Sequence, residues 1–317
     1  MSKVIVTDHN FVSLDPTRDI LGPAGFELEE IQPICKTEDD VIRRCGDAGV
    51  LLVQWAPVTR RVLQSLPRVK CVVRYGIGVD NIDLDAATEL GVIVANVPRY
   101  CVEEVSNHTL AMILSLGRRI PQNHNQVMRG GWGINPFRPI PAFSDMRLGL
   151  VGFGAIGQRV AEKARAFRFQ VMAFDPYAPD SVFAEGEAVR VDWATLVKNA
   201  DVISLHCPLT PETRHLINHE TIAAMKPGVC LINTARGPLV NEADLIEALT
   251  DGRIGEAGLD VFEEEPLPLR SPLRAFSNVI LTSHSASVSE GATRILQCEA
   301  AAAARDFLQG KRPAAAL

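Results

Sequence analysis

The chain lacks any C-x-x-C pair. Its seven cysteines, Cys35, Cys45, Cys71, Cys101, Cys207, Cys230 and Cys298, are scattered. Most lie in apolar runs such as VKCVV and GVCLIN, where a thiol behaves as a small buried hydrophobe. That usage argues against a disulfide framework and against a zinc site, and no metal is expected. A basic excess is missing too: 32 Lys and Arg face 38 Asp and Glu, a net charge of −6. Nucleic acid and anionic membrane are therefore unfavoured as partners. No run approaches the roughly 20 apolar residues of a membrane span, and MSKVIVTDHN has no signal-peptide apolar core. A reducing, cytoplasmic setting is the expectation.

What is present is a repeated alternation. At 317 residues the length favours two domains over one. Short β-branched runs alternate with helix-length amphipathic segments. Strands are expected at Val4–Thr7, Val50–Gln54, Cys71–Arg74, Val92–Ala95, Leu148–Val151, Gln170–Phe174, Val202–His206, Val229–Asn233, Ile254–Val261 and Val279–Thr282. Several are apolar on consecutive residues, which marks strands covered on both faces in parallel sheets. The expected class is therefore α/β, with doubly wound parallel sheets.

Between Ile120 and Met146 the alternation breaks. GGWGINPFRPIPAF is dense in Gly, Pro and aromatics and has no sustained period. It fits an ordinary linker and equally an arm that packs on a partner chain through Trp132, Phe137 and Phe143. One long helix is expected before it, Val102–Arg119, and a last helix at Ser289–Gly310. The final KRPAAAL is expected to fray.

A dinucleotide fingerprint begins the second series. The strand ending at Val151 feeds Gly152-x-Gly154-x-x-Gly157, which opens a helix over Ala155–Phe167, and the next strand runs into Asp175. Gly152 allows a tight turn, and Gly154 lets the backbone approach a pyrophosphate. Gly157 lets the helix pack closely, and the free N–H groups of the helix start, at Ala155 and Ile156, face the anion. The motif alone is weak, but its strand–turn–helix–acid context is met. Asp175 would accept bonds from the adenosine ribose and repel a 2′-phosphate, and DPYAPDS holds no Arg or Lys. NAD(H) is favoured over NADP(H).

Ligands of open α/β sheets bind beyond the carboxyl ends of the strands. Three ionisable groups stand there in the second half: Arg236 after Val229–Asn233, Asp260 and Glu263–Glu265 in the next strand and its exit, and His284 after Val279–Thr282. Arg can grip a carboxylate with paired N–H groups and polarise a carbonyl. His can give a proton to a developing alkoxide, and a carboxylate beside it fixes its tautomer. Each alone is more often an ordinary surface residue; together they are what hydride transfer at a 2-oxo acid requires.

VGFGAIG, LHCPLTPETRHLIN, INTARGPLVNEADLIEAL, GLDVFEEEPLP and NVILTSHSA, with VVRYGIGVDNIDLDAATELGVIVANVP before them, resemble the D-isomer-specific 2-hydroxyacid dehydrogenase family. The likeness covers most of the chain in the family's order. ARAFRFQVMAFDPY and VVRYGIGVDNID look most similar to the branch with the C-terminal-binding protein corepressors.

The resemblance implies a Rossmann NAD domain, 101–288, inserted in a flavodoxin-like substrate domain, 1–100 with 289–317. Hinges would fall near Pro98–Cys101 and Ser287–Glu290. It implies Arg236 as the substrate-binding arginine, Glu265 as partner of the acid/base His284, and Gly76, Ile77 and Gly78 as substrate-carboxylate contacts with Arg74 lining that pocket. Asp260 would hold the nicotinamide carboxamide. Thr234 and Ala235 would pass beside the dinucleotide, and Cys207, Pro208 and Thr213 would flank the adenosine. The implied activity interconverts a small 2-oxo acid and its D-2-hydroxy acid, in a homodimer formed through the NAD domain. A corepressor-like NAD(H)-sensing interaction protein is the alternative. Three positions depart from the family: Ser283 stands for a proline, Ser287 for an aromatic of the corepressor branch, and Asn107 for a frequent glutamate.

Overall fold

The computed structural model describes residues 3–184 and 187–317. The chain divides into two compact units, Met1–Tyr100 with Val288–Leu317, and Cys101–Ser287. The described cysteines are free, and among the described residues no helix is long and apolar enough to cross a membrane.

The first unit carries five parallel strands, β1 (Lys3–Val6), β2 (Leu28–Glu30), β3 (Ala48–Val53), β4 (Cys71–Arg74) and β5 (Ile93–Ala95), in the order β2-β1-β3-β4-β5. Its helices are α1 (Asp15–Leu21), α2 (Glu38–Arg44), α3 (Arg60–Ser65) and α4 (Leu84–Glu89), joined by the last helix of the chain, Glu290–Leu308. Val50, Leu51, Leu52 and Val53 are all fully buried, because consecutive residues of a parallel strand face opposite covered layers. One layer seats Leu51 and Val53 among Val41, Val62 and Ala86. The other seats Val50 and Leu52 against Leu296, Ala300 and Ala304 of the last helix, whose alanines allow close approach to the sheet.

Three features of this unit differ from expectation. β2 was not anticipated: LEE has no apolar run, since it is a half-buried edge strand. The expected fraying of KRPAAAL is not what the chain does. Ala316 bridges Ala95 antiparallel, and the Leu317 N–H donates to the Val94 carbonyl at 2.9 Å, so the tail pairs with the otherwise open edge of β5. The last helix is also shorter at both ends than 289–310.

The second unit has seven parallel strands, β6 (Arg147–Val151), β7 (Gln170–Phe174), β8 (Val189–Arg190), β9 (Val202–Leu205), β10 (Val229–Asn233), β11 (Ile254–Leu259) and β12 (Val279–Leu281), in the order β12-β11-β10-β9-β6-β7-β8. Its helices are α5 (Val102–Gly117), α6 (Ile120–Met128), α7 (Ala155–Ala166), α8 (Trp193–Asn199), α9 (His219–Ala224) and α10 (Glu242–Thr250), and the last helix of the chain is α11. From β6 the chain moves outward to β7 and β8, then returns to lay β9 on the other side of β6 and moves outward the other way. That reversal between β6 and β9 is a topological switch point, where a crevice opens at the strand ends.

The expected break at 120–146 begins with a helix, α6, which has no buried residue. Polar QNHNQ in its middle hid the period. Trp132 is exposed, but Phe143 is not an arm residue: its ring stacks on Phe169 with centroids 4.8 Å apart and lies against Gly117. Asn107, in α5, accepts a hydrogen bond from Lys163 Nζ at 2.7 Å, which ties α5 to α7.

Candidate active site

The glycine turn sits at the switch point. Gly152 has φ +94°, and a Cβ there would lie 2.6 Å from the backbone nitrogen of Cys207, so the turn after β6 closes against the loop after β9. A Cβ on Gly157 would lie 2.4 Å from the Gly152 carbonyl oxygen, which presses the start of α7 onto the turn. Gly154 differs from both: a Cβ there would meet nothing within 4 Å. Its open side lies at the N-terminus of α7, where the Ala155 and Ile156 N–H groups have no intrahelical acceptor. Open space and free N–H groups at a helix start suit an anion such as a pyrophosphate.

Asp175 leaves β7 beside that turn. It accepts from the backbone N–H groups of Phe153 at 2.8 Å, Tyr177 at 2.9 Å and Ala178 at 3.0 Å. Its carboxylate therefore shapes the loop as well as facing the turn. A cation absent from DPYAPDS arrives from β8: Arg190 donates to the Asp175 carbonyl at 3.2 Å and pairs with the exposed Asp180. Cys207 and Pro208 follow β9, and burial pushes the Cys207 thiol up to about 11, so it is no nucleophile at neutral pH. Thr213 is engaged inside its own turn, its hydroxyl donating to the Pro208 carbonyl at 2.7 Å.

β10, β11 and β12 are adjacent and parallel, so the residues leaving them emerge on one edge. Arg236 leaves β10 in an extended conformation. Asn233 donates to its carbonyl at 2.8 Å, and its guanidinium donates to the Ala235 carbonyl at 2.8 Å. Ala235 donates its N–H to the Asn233 side chain at 3.1 Å, and buried Thr234 meets the Thr109 hydroxyl at 3.0 Å. Gly237 is pressed so closely to the segment after β11 that a Cβ would lie 1.9 Å from the Phe262 carbonyl oxygen.

Glu265 and His284 stand on that segment and on the exit of β12. His284 Nδ1 and Glu265 Oε2 are 2.7 Å apart. The other Glu265 oxygen accepts the Phe262 N–H at 3.0 Å. Burial alone would raise the Glu265 carboxyl. The hydrogen bond and charge of His284, the Phe262 N–H and the charge of Arg236 outweigh it and hold the group below its ordinary value. His284 itself has φ +52°, a left-handed turn that a non-glycine residue takes only when its surroundings impose it.

Asp260 is what imposes it. Only 1 % exposed, it accepts from Thr282 Oγ1 at 2.5 Å, Ser285 N at 2.9 Å and Ala286 N at 2.9 Å, and its own carbonyl takes the His284 N–H at 2.7 Å. The carboxylate is turned onto the 282–286 segment and fixes the histidine's backbone. His108 of α5 supports the same cluster, with Nε2 3.1 Å from Thr282 Oγ1.

In the other unit, Arg74 ends β4 and Gly76 has φ +148°. A Cβ at Gly76 would lie 1.2 Å from an Arg74 guanidinium nitrogen, so the glycine lets the arginine fold across its backbone. The Gly76 N–H donates to the Arg74 carbonyl at 2.9 Å, and Ile77 and Gly78 follow in the same loop.

Asp260 as a backbone clamp, His108, Gly237 and a second pair, His215 with Glu263, were not anticipated. Their partners lie tens to well over a hundred residues away, and no spacing rule connects them.

Residues 110–286 match the family model described as D-isomer specific 2-hydroxyacid dehydrogenase, NAD binding domain. The chain is 41% identical over 98% of its length to a D-3-phosphoglycerate dehydrogenase of Methanocaldococcus jannaschii, and spans 58% of that longer protein. It is 34% identical to a hydroxypyruvate reductase of Blautia hydrogenotrophica over 86% of each chain. Among solved structures, a D-lactate dehydrogenase from Aquifex aeolicus, complexed with NAD and lactic acid, superposes with a TM-score of 0.86 at 29% identity, covering 97% of this chain and 96% of that one.

Proposed function

The chain belongs to the D-isomer-specific 2-hydroxyacid dehydrogenase family, and from that premise we propose that it is an NAD-dependent reductase of a small 2-oxo acid, forming the D-2-hydroxy acid. The observation that carries this is the 2.7 Å Glu265–His284 pair on the same strand edge as Arg236 and the glycine turn. NAD(H) fits the cradle: Gly154, Ala155 and Ile156 would hold the pyrophosphate, and Asp175 would take the ribose. Thr234 and Ala235 would pass beside the dinucleotide, and Cys207, Pro208 and Thr213 would flank the adenosine. When bound, the cofactor supplies or accepts the hydride.

The protein's own groups supply the rest. Arg236 grips the substrate carboxylate with paired N–H groups and draws electron density from the carbonyl. Glu265, bound at Nδ1, leaves Nε2 of His284 as the atom that gives its proton to the forming alkoxide. In the reverse direction neutral Nε2 takes the hydroxyl proton. Arg74, Gly76, Ile77 and Gly78 are the carboxylate-binding candidates at the edge of their own sheet. The curated relatives reported are named for redox chemistry rather than corepression, and the enzymatic reading follows them.

Absorbance of NADH against glyoxylate, hydroxypyruvate, pyruvate and phosphorylated 2-oxo acids tests the proposal. Consumption with at least one acid is expected. No turnover by folded protein with NADH or NADPH overturns it. We also propose a cytoplasmic homodimer, supported by free cysteines and by Val127, Met128 and Trp132 exposed on and after α6; a monomeric mass by light scattering overturns the dimer.

A further inference from the structure

A second histidine–glutamate pair stands beside the first. His215 Nε2 and Glu263 Oε1 are 2.6 Å apart. Like His284, His215 is a non-glycine residue in the left-handed region, with φ +53°. Its N–H donates to the Pro238 carbonyl at 2.8 Å, so its backbone is anchored to the turn that follows Arg236. Its partner Glu263 is two residues from Glu265 in the same exit from β11. The Glu263 N–H in turn donates to Glu242 Oε2 at 3.4 Å. Gly237 closes the arrangement from the other side, with no room for a Cβ against Phe262.

The segment from Phe262 to Glu265 has to be stiff for a specific reason. Glu265 reaches His284 across two strand exits, and a shift of a few tenths of an ångström in the turn lengthens a 2.7 Å bond. Within the turn, the Phe262 N–H holds Glu265 Oε1. Nothing in that bond ties the turn to the rest of the sheet edge. The His215–Glu263 contact does: it links the exit of β11 to the loop after β9, and through Pro238 to the loop that carries Arg236.

We propose that His215 is a positioning residue for the acid–base pair, gripping Glu263 so that the 262–265 turn presents Glu265 to His284. The catalytic consequence rests on the reductase reading above; the structural coupling stands without it. Removing the His215 side chain leaves the fold and the glycine turn in place and loosens the Glu265–His284 contact. The Glu265 carboxyl then loses part of what holds it down and titrates closer to an ordinary glutamate.

The test compares the Glu265 carboxyl titration, followed by carbon-13 NMR, in the parent chain, His215→Ala, His215→Gln and Glu263→Ala. Alanine at either position is expected to move the Glu265 midpoint upward, and His215→Gln, which keeps a donor to Glu263, to restore most of the parent value. Steady-state kinetics should show kcat falling about tenfold in both alanine variants, with NADH affinity unchanged and the glutamine variant rescued. Glu263→Ala, on the exposed side of the turn, keeps the test decisive if His215→Ala fails to fold. An unmoved Glu265 midpoint in the folded alanine variants overturns the proposal. If no oxo acid is turned over by the parent chain, the reductase reading fails while the titration still decides the coupling.

Discussion

His284 Nδ1 lies 2.7 Å from Glu265 Oε2, across the exits of two adjacent strands. The imidazole N–H donates and the carboxylate accepts, so the opposite ring nitrogen is free to exchange a proton. His284→Ala should lower kcat/KM by about 10²–10⁴-fold, the range for a general acid–base group, while NADH affinity stays within about threefold. Loss of cofactor binding along with turnover would make the histidine structural.

Glu265 also predicts an acid limit. Its carboxyl is lower in the folded chain than the ordinary 4.5, so the unfolded chain binds the proton more readily. The pair's stabilisation is fully present above about pH 4.5 and is lost as pH falls through the folded value. Urea midpoints measured from pH 7 to 3 should drop below 4.5 in the parent chain. Glu265→Gln should flatten that limb. An identical acid limb in both would place the protonation elsewhere.

Arg236 predicts a division between KM and cofactor binding. Lysine keeps the charge but loses the planar pair of donors. Arg236→Lys should raise KM for the oxo acid by about tenfold or more, and Arg236→Ala should reduce kcat/KM further. NADH affinity should hold in both. A lysine variant with unchanged KM would show that the arginine does not grip the carboxylate.

Parallel strands with consecutive apolar residues announce themselves, so the buried strands β3, β4, β6, β9 and β10 were legible and so were the positions at their exits. β2, β8 and α6 were not, because edge strands and a helix without a buried face need no apolar pattern. The tail on β5 was illegible for the same reason: backbone pairing of Ala316 leaves no side-chain signature. At the site, Arg236, His284 and the run Glu263–Glu265 could be found as polar residues after apolar strands, while the choice of Glu265 within that run came from the family resemblance. The groups that hold them could not. Gly237 looks like any turn glycine, and its need for hydrogen in place of a Cβ appears only when Phe262 is brought against it. Arg190 is 15 residues from Asp175, beyond any motif window, yet touches its carbonyl.

Asp260 separates a clamp from a surface acid. An amide in its place presents a donor where the carboxylate accepts from Ser285 N, Ala286 N and Thr282 Oγ1. At least one buried donor then goes unpaired, at about 1–3 kcal/mol. Asp260→Asn should lose about that much stability in urea and lower kcat with the histidine's backbone released. A variant as stable as the parent would mean that the 282–286 segment is held by something else.

His206 supplies a second pH window. It follows β9 beside the glycine turn, with Nε2 2.9 Å from Ser204 Oγ, and burial pushes its imidazole down to about 4. The folded chain keeps it neutral while the unfolded chain takes a proton near the ordinary 6.5. Stability from this group is present above about 6.5 and declines as pH falls toward 4, at up to about 1.4 kcal/mol per pH unit. His206→Gln keeps a donor or acceptor toward Ser204 and cannot charge. Its urea midpoint should therefore fall less than the parent's between pH 7 and 4.5, a window above the one assigned to Glu265. Equal declines in that window would mean that His206 is already protonated in the folded chain.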